Sequence, residues 1–247
     1  MDRRTANMIK APGYGQYCPL SMAAEILCTR WTMLVMRELV FGYTSFNDIS
    51  RGVPRMSRSL LSSRLKELAN SGIVKKTKSP THNHTKYTLT PAGDALSKVV
   101  FSMADWAQEW LRIEPALEDF DSDHLMWNIR HKAKPHPELP NPFIVHFFLH
   151  DQTKKRQDSW LIFEGDQVDL CIIDRDFDVD MQISVTAKTL ARIYLGRSEL
   201  DDAIATGELE VLGDEKYAKL LPELLGRSRL ANILIQPEER RASVPGT

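Results

Sequence analysis

Along residues 56–74 (MSRSLLSSRLKELANSGIV) apolar side chains recur with helical spacing, and the positions between them are short and polar. On a helical wheel Leu61, Leu65 and Leu68 share one face, flanked by Leu60. Ser59, Ser63, Lys66 and Asn70 lie opposite, with Ser62 beside them and Arg58 near the N-terminal edge. This predicts a helix capped by Ser57 and held to a core by its leucines. Two helical stretches precede it, residues 20–28 and 31–42, the second with Trp31, Leu34, Val35 and Leu39 inward and Gly42 as its stop. Ser45 and Asp48 then form a capping box for another short helix, which Pro54 ends. Residues 73–90 read as a β-hairpin with its tip at 79–84, where Tyr87 and Leu89 alternate with Lys86 and Thr88. After it, Thr90 caps and Pro91 starts a helix in which Leu96, Val99, Met103, Trp106 and Trp110 form a seam fit for a partner helix. The same seam also fits the chain's own first helix.

Beyond residue 142 the period changes to two. Residues 143–149, 160–166, 168–174 and 180–186 read as strands. Thr186 caps a helix carrying Leu190, Ile193 and Tyr194 and stopped by Gly196, and Ser198 with Asp201 opens another that ends at Gly207. A last strand follows at 208–214, and Asp214 caps a helical stretch that Pro222 kinks or splits. The expected architecture is therefore a mainly α first domain over 1–113 and an α+β second domain over 143–235, an antiparallel sheet covered by helices. A proline-rich connector with one short helical element occupies 114–142, and the tail 236–247 is expected to lack fixed structure.

Charge divides at the same place. Residues 1–115 carry 16 basic and 9 acidic side chains, a surplus of seven positive charges, whereas residues 116–247 carry 16 and 24, net −8. The basic half suits a polyanion. Three helices followed by a hairpin bearing Lys75, Lys76, Lys78 and Lys86 make a winged helix-turn-helix, whose third helix enters the major groove while the wing meets the flanking backbone. Candidate DNA contacts are Ser57, Arg58, Ser59, Ser62, Ser63 and Lys66 on the helix and Lys75, Lys76, Lys78, His82, His84 and Lys86 on the wing. His82 and His84 lack a third ligand nearby, so a phosphate-contacting loop is favoured over a metal site. The alternating Asp174, Asp176, Asp178 and Asp180 lack the glycine and closing glutamate of a calcium loop and read as a solvated turn. No catalytic constellation, metal or cofactor is expected. Cys18, Cys28 and Cys171 are too few and too widely spaced for a disulfide framework, pointing to a reducing cytoplasm. Residues 1–10 do not read as a signal peptide, and the longest apolar run, 143–149, is too short to cross a bilayer.

The motifs Cys18-Pro19, Trp31-Thr32, Phe46-Asn47-Asp48-Ile49, Ser57 to Leu68, Gly72-Ile73-Val74 and Tyr87-Thr88-Leu89-Thr90 resemble, as a set, the HxlR-type winged-helix regulators, a branch near the MarR type. The resemblance covers about residues 15–112. It departs at Arg30, where lysine is usual, which leaves the charge intact. It implies a homodimeric transcriptional regulator on double-stranded DNA, reading inverted half-sites ~34 Å apart. In some members the cysteine matching Cys18 senses oxidants or electrophiles; here a structural Cys18 is favoured, because nothing around it in the sequence marks an activated thiolate. Residues 140–230 resemble a sterol carrier protein-like domain through Val168-Asp169-Leu170, Val179-Asp180, Thr186 to Gly196 and Ala203-Ile204 through Gly213-Asp214. That resemblance implies a tunnel for a lipid-like or other hydrophobic small molecule, with Phe147, Trp160, Ile162, Leu170, Ile172, Met181, Ile183, Val185, Leu190, Ile193 and Tyr194 as candidate lining. Pattern alone favours a filled core, and it is the resemblance that shifts the balance toward a pocket. Two alternatives remain at this level: a second domain that only dimerises or docks a protein, and a lipid carrier with incidental DNA binding.

Overall fold

The computed structural model describes residues 13–78 and 85–244. The chain divides into two compact units, the first ending at Val100 and the second beginning at Phe101.

The first unit runs α1 (Pro19–Leu27), α2 (Thr32–Val40), α3 (Phe46–Gly52), α4 (Arg58–Asn70), the hairpin β1 (Val74–Lys78) and β2 (Thr85–Leu89), and α5 (Pro91–Ala95). Helix α6 (Ser97–Trp110) begins in this unit and runs on into the second. The single helix expected after Thr90 is thus two, broken at Leu96. Its core joins Val35, Met36 and Leu39 of α2, Ile49 of α3, Leu61, Leu65 and Leu68 of α4, and Val74 and Tyr87 of the hairpin. Leu34, expected inward, is exposed, because it lies 100° round the helix from Val35. Local capping follows the sequence closely. Ser45 accepts the Asp48 N–H at 3.1 Å and donates to its carboxylate at 2.6 Å, and Ser57 accepts the Leu60 N–H at 3.3 Å. A carboxylate is buried in this unit. Glu38 is fully buried, with Oε1 2.6 Å from the Arg37 Nε, and it lies over Gly52, where a Cβ would come within 1.9 Å of its carboxylate. Glycine ends α3 there because α2 presses a carboxylate onto it.

In the second unit the strands β4 (Phe143–Leu149), β5 (Asp158–Glu164), β6 (Gln167–Cys171), β7 (Met181–Val185) and β8 (Leu209–Gly213) form a sheet in the order β6-β5-β4-β7-β8. The expected all-antiparallel sheet is mixed: β4 and β7 pair in parallel, Val145 opposite Met181 through Leu149 opposite Val185. After β6, which runs the same way as β4, residues 172–180 carry the chain back to the other end of the sheet. Nine extended residues reach at most about 30 Å, enough to recross a strand of about 17 Å. Helices α7 (Ser122–Lys132), α8 (Ala187–Tyr194), α9 (Leu200–Ala205) and α11 (Leu221–Leu225) close one face, and α10 (Glu215–Ala218) precedes the break at Pro222. Glu199 caps α9 instead of the expected Ser198 box, and its side chain accepts no cap hydrogen bond.

Two expectations about boundaries change. Residues 114–142 are more than a connector, since α7 inserts Leu125, Met126 and Ile129 into the core of this unit. The segment after 235 is built in as well. Gln236 donates its N–H to the Glu109 carbonyl at 3.0 Å, and β9 (Ala242–Ser243) pairs in parallel with β3 (Leu111–Arg112). Both depend on contacts distant in the chain, those of the tail spanning more than a hundred residues, which composition does not report.

Candidate nucleic-acid interface

Three leucines position the interface. Leu61, Leu65 and Leu68 are 0%, 0% and 2% exposed, so α4 has one rotational setting. That setting turns Ser57, Arg58, Ser59, Ser62, Ser63 and Lys66 to solvent. Ser57 spends its oxygen on the cap and lies 3.2 Å from the Ser59 hydroxyl. Arg58 is preset: Asn47 Oδ1 accepts from its guanidinium at 2.9 Å, and the Phe46 ring lies 4.7 Å beneath it. A side chain held this way loses less entropy on meeting a phosphate or a base edge. Ser63 donates to Glu67 at 3.0 Å, and Glu67 also pairs with Arg64. The face expected from the sequence is short, polar and positive; the Glu67 carboxylate sits on its shoulder.

The wing distributes its lysines over both faces. Lys75 stands opposite Thr88 and Lys76 opposite Tyr87, so Lys75 and Lys86 share one face and Lys76 and Lys78 the other. All four are exposed, and Lys76 lies 5.9 Å from the centre of the Tyr87 ring. His82 and His84 fall outside the described residues. The wing is sewn to α3: Tyr87 donates its N–H to the Thr44 carbonyl at 2.8 Å, and Ser45 bridges Lys86. An open cleft of about 590 Å³ results, lined by Thr44, Ser45, Phe46, Asn47, Arg58, Thr85, Lys86 and Tyr87. Helix and wing therefore present donors around one concavity. Asn47 and Thr44 were missed as site residues because their role depends on Arg58 and the wing arriving from elsewhere in the chain.

The remaining sequence candidates separate. On α6, Val99, Met103 and Trp106 are 46%, 57% and 53% exposed, an apolar stripe at helical spacing, while Leu96 and Trp110 are partly buried. Leu96 packs against the first core. Cys18, favoured as structural, is exposed at the N-cap of α1, and its side chain caps no N–H. In the second unit Phe147, Met181, Ile183, Val185, Leu190 and Ile193 are 0–4% exposed and pack together, with Leu170 and Tyr194 at the margin. Trp160 and Ile162 do not belong with them. They point to the opposite side of β5, where Trp160 stacks on His146 at 5.0 Å, and Ile172 lies past β6 and is exposed. Strand alternation keeps apart two faces that share the same apolar residue types. Among the described residues no group of three or more His, Cys, Asp or Glu side chains is placed to hold a metal ion.

The model of the HxlR-like helix-turn-helix family matches residues 26–115. The HTH-type transcriptional regulator YvaP of Bacillus subtilis, itself uncharacterized, is 37% identical over 106 residues, 42% of this chain and 96% of YvaP. The HTH-type transcriptional regulator YodB of the same organism is 36% identical over 95 residues, 38% of this chain and 85% of its own length. A solved structure of the reduced form of YodB, 36% identical, covers 38% of this chain and 93% of that one, with a TM-score of 0.34. These relatives are described as HTH-type transcriptional regulators. With helices, wing and sequence in agreement, the chain belongs to the HxlR-like helix-turn-helix family of transcriptional regulators.

Proposed function

We propose that the protein regulates transcription as a homodimer on an inverted repeat in duplex DNA, with α4 in the major groove and the wing along the adjoining backbone. One observation carries this. The buried leucines of α4 leave its hydroxyls, Arg58 and Lys66 on a single exposed face beside a lysine-bearing hairpin. The stripe Val99, Met103 and Trp106 supports the dimer, since it leaves large apolar side chains exposed at helical spacing. DNA contact puts the protein in the cytoplasm, and no described helix is long and apolar enough to cross a membrane.

The second unit fits a sterol carrier protein-like module, supported by a sheet covered by helices on one face. A hydrophobic ligand there would enter by parting Phe147, Ile183 and Leu190, which fill the core. The test of the central reading is fluorescence anisotropy with DNA from upstream of the protein's own gene, over a range of salt. Arg58→Ala should weaken binding to that DNA more than to a scrambled duplex, by about 1–3 kcal/mol. Lys78→Ala should weaken both equally and lower the salt slope by about one. Wild-type affinity in both variants would refute the assignment.

A further inference from the structure

A second concavity lies wholly within the second unit, and its chemistry runs against its surroundings. It encloses about 410 Å³ between the 3-10 turn Glu114–Leu117, the end of α8 and the chain around Ile235 and Arg241. Although residues 116–247 carry net −8, Lys188, Arg192, Arg197 and Arg241 all line this space, against Glu114 as the carboxylate in its wall. Lys188 is paired with Glu118 at the rim, and Arg192 is exposed with no ion pair among the described residues. Positive charge exceeds negative even when Glu118 is included.

Glu114 shows what the cations are shaped to hold. Arg197 Nη1 lies 2.8 Å from Glu114 Oε1, and Arg241 Nη1 lies 3.3 and 3.4 Å from its two oxygens. The arginines are fixed from behind. Gln108 takes Arg197 Nη2 on its carbonyl at 3.3 Å and its side-chain oxygen at 3.4 Å, and the β3–β9 pairing places Arg241. Their side chains are 7% and 11% exposed, yet the Nε of each has no hydrogen-bond partner. Buried donors left unpaired are costly, and Glu114 takes only the Nη1 of each guanidinium. Burial pulls the pKa of Arg197 down; Glu114 opposes this, and Arg241 and Arg192 add to it. Burial would raise the pKa of Glu114, but its own backbone N–H and then Arg197 and Arg241 bring it below the ordinary carboxylate range. Leu117 and Ile235 supply an apolar wall beside the charges.

We propose that this cavity receives a small amphipathic organic anion, a carboxylate or phosphate head on a short hydrocarbon body, with the head replacing Glu114 between Arg197 and Arg241 and the body lying on Leu117 and Ile235. Glu114 is then a resident placeholder. It sits four residues beyond α6 in the chain, so a ligand that frees it acts on the segment leaving that helix. The site goes beyond the DNA-binding reading and stands without it.

The test is isothermal titration calorimetry of the full chain without DNA, using hexanoate, hexyl phosphate, hexanol and inorganic phosphate as separate probes. At least one amphipathic anion should saturate at one per chain, and which one does identifies the head group. Hexanol should give no saturating heat, and inorganic phosphate should bind at least about tenfold more weakly, lacking the apolar contact. Arg192→Gln and Arg241→Gln should each cost about tenfold. Glu114→Gln should tighten binding several-fold by removing the competing carboxylate, whereas a purely structural ion-pair cluster would lose stability there and gain no affinity. Circular dichroism melts confirm that each variant is folded. The proposal is overturned if neither anion saturates, if both arginine variants bind like wild type, or if folded Glu114→Gln binds more weakly.

Discussion

Two neighbouring residues of α4 should fail in opposite ways. Leu65 is 0% exposed at the centre of the first core, and Lys66, one position on, is exposed. Leu65→Ala removes buried carbon against Leu61, Met36 and Ile49 and leaves a cavity, at a cost of about 2–5 kcal/mol. Against a typical domain stability of about 5–15 kcal/mol, most molecules stay folded. Hydrogen exchange with mass spectrometry on the full chain reads this locally: opening free energies of the α2 and α4 amides should fall by that amount. DNA affinity should change little, because the exposed face keeps its groups. Lys66→Ala should leave exchange within about 0.5 kcal/mol of wild type. It should lower DNA affinity on every sequence and cut the slope of log affinity against log salt by about 0.9, one released counterion. If Leu65→Ala left protection unchanged, or Lys66→Ala lost protection while keeping its salt slope, α4 would be docked by some face other than its leucines.

Further outcomes concern the buried carboxylate and the exposed seam. Desolvation raises the pKa of Glu38 above 4.5, with Arg37 opposing through charge and a hydrogen bond. A folded-state pKa above the unfolded one means that any advantage of wild type over Glu38→Gln is present below about pH 4.5 and is lost as pH rises through the raised value. Urea midpoints of the two proteins across this range should diverge in favour of the variant, and a constant difference would refute the account. Trp106→Glu places a charge on the α6 stripe and should shift sedimentation of the full chain toward the monomer; an unchanged dimer would mean that the stripe lies elsewhere than the interface.

What the sequence determined by itself is local. Ser45, Ser57, Thr90, Thr186 and Asp214 were legible as caps because each satisfies an N–H two or three residues ahead. The leucine face of α4 was legible because 3.6-residue periodicity needs only a core to exist somewhere. Period two likewise marked β4, β5 and β7 as strands. It did not say which strand lies beside which, so the parallel pairing of β4 and β7 and the separation of Trp160 from Phe147 came only with the folded sheet. The interface was half legible: Arg58 and the wing lysines stood out as charges, but Asn47 became part of the site through a hydrogen bond across eleven residues of chain. The cationic cavity was wholly hidden, since Glu114 meets Arg197 and Arg241 across 83 and 127 residues. Charges gathered at such separations leave no periodicity behind, because packing brings them together and local propensity does not.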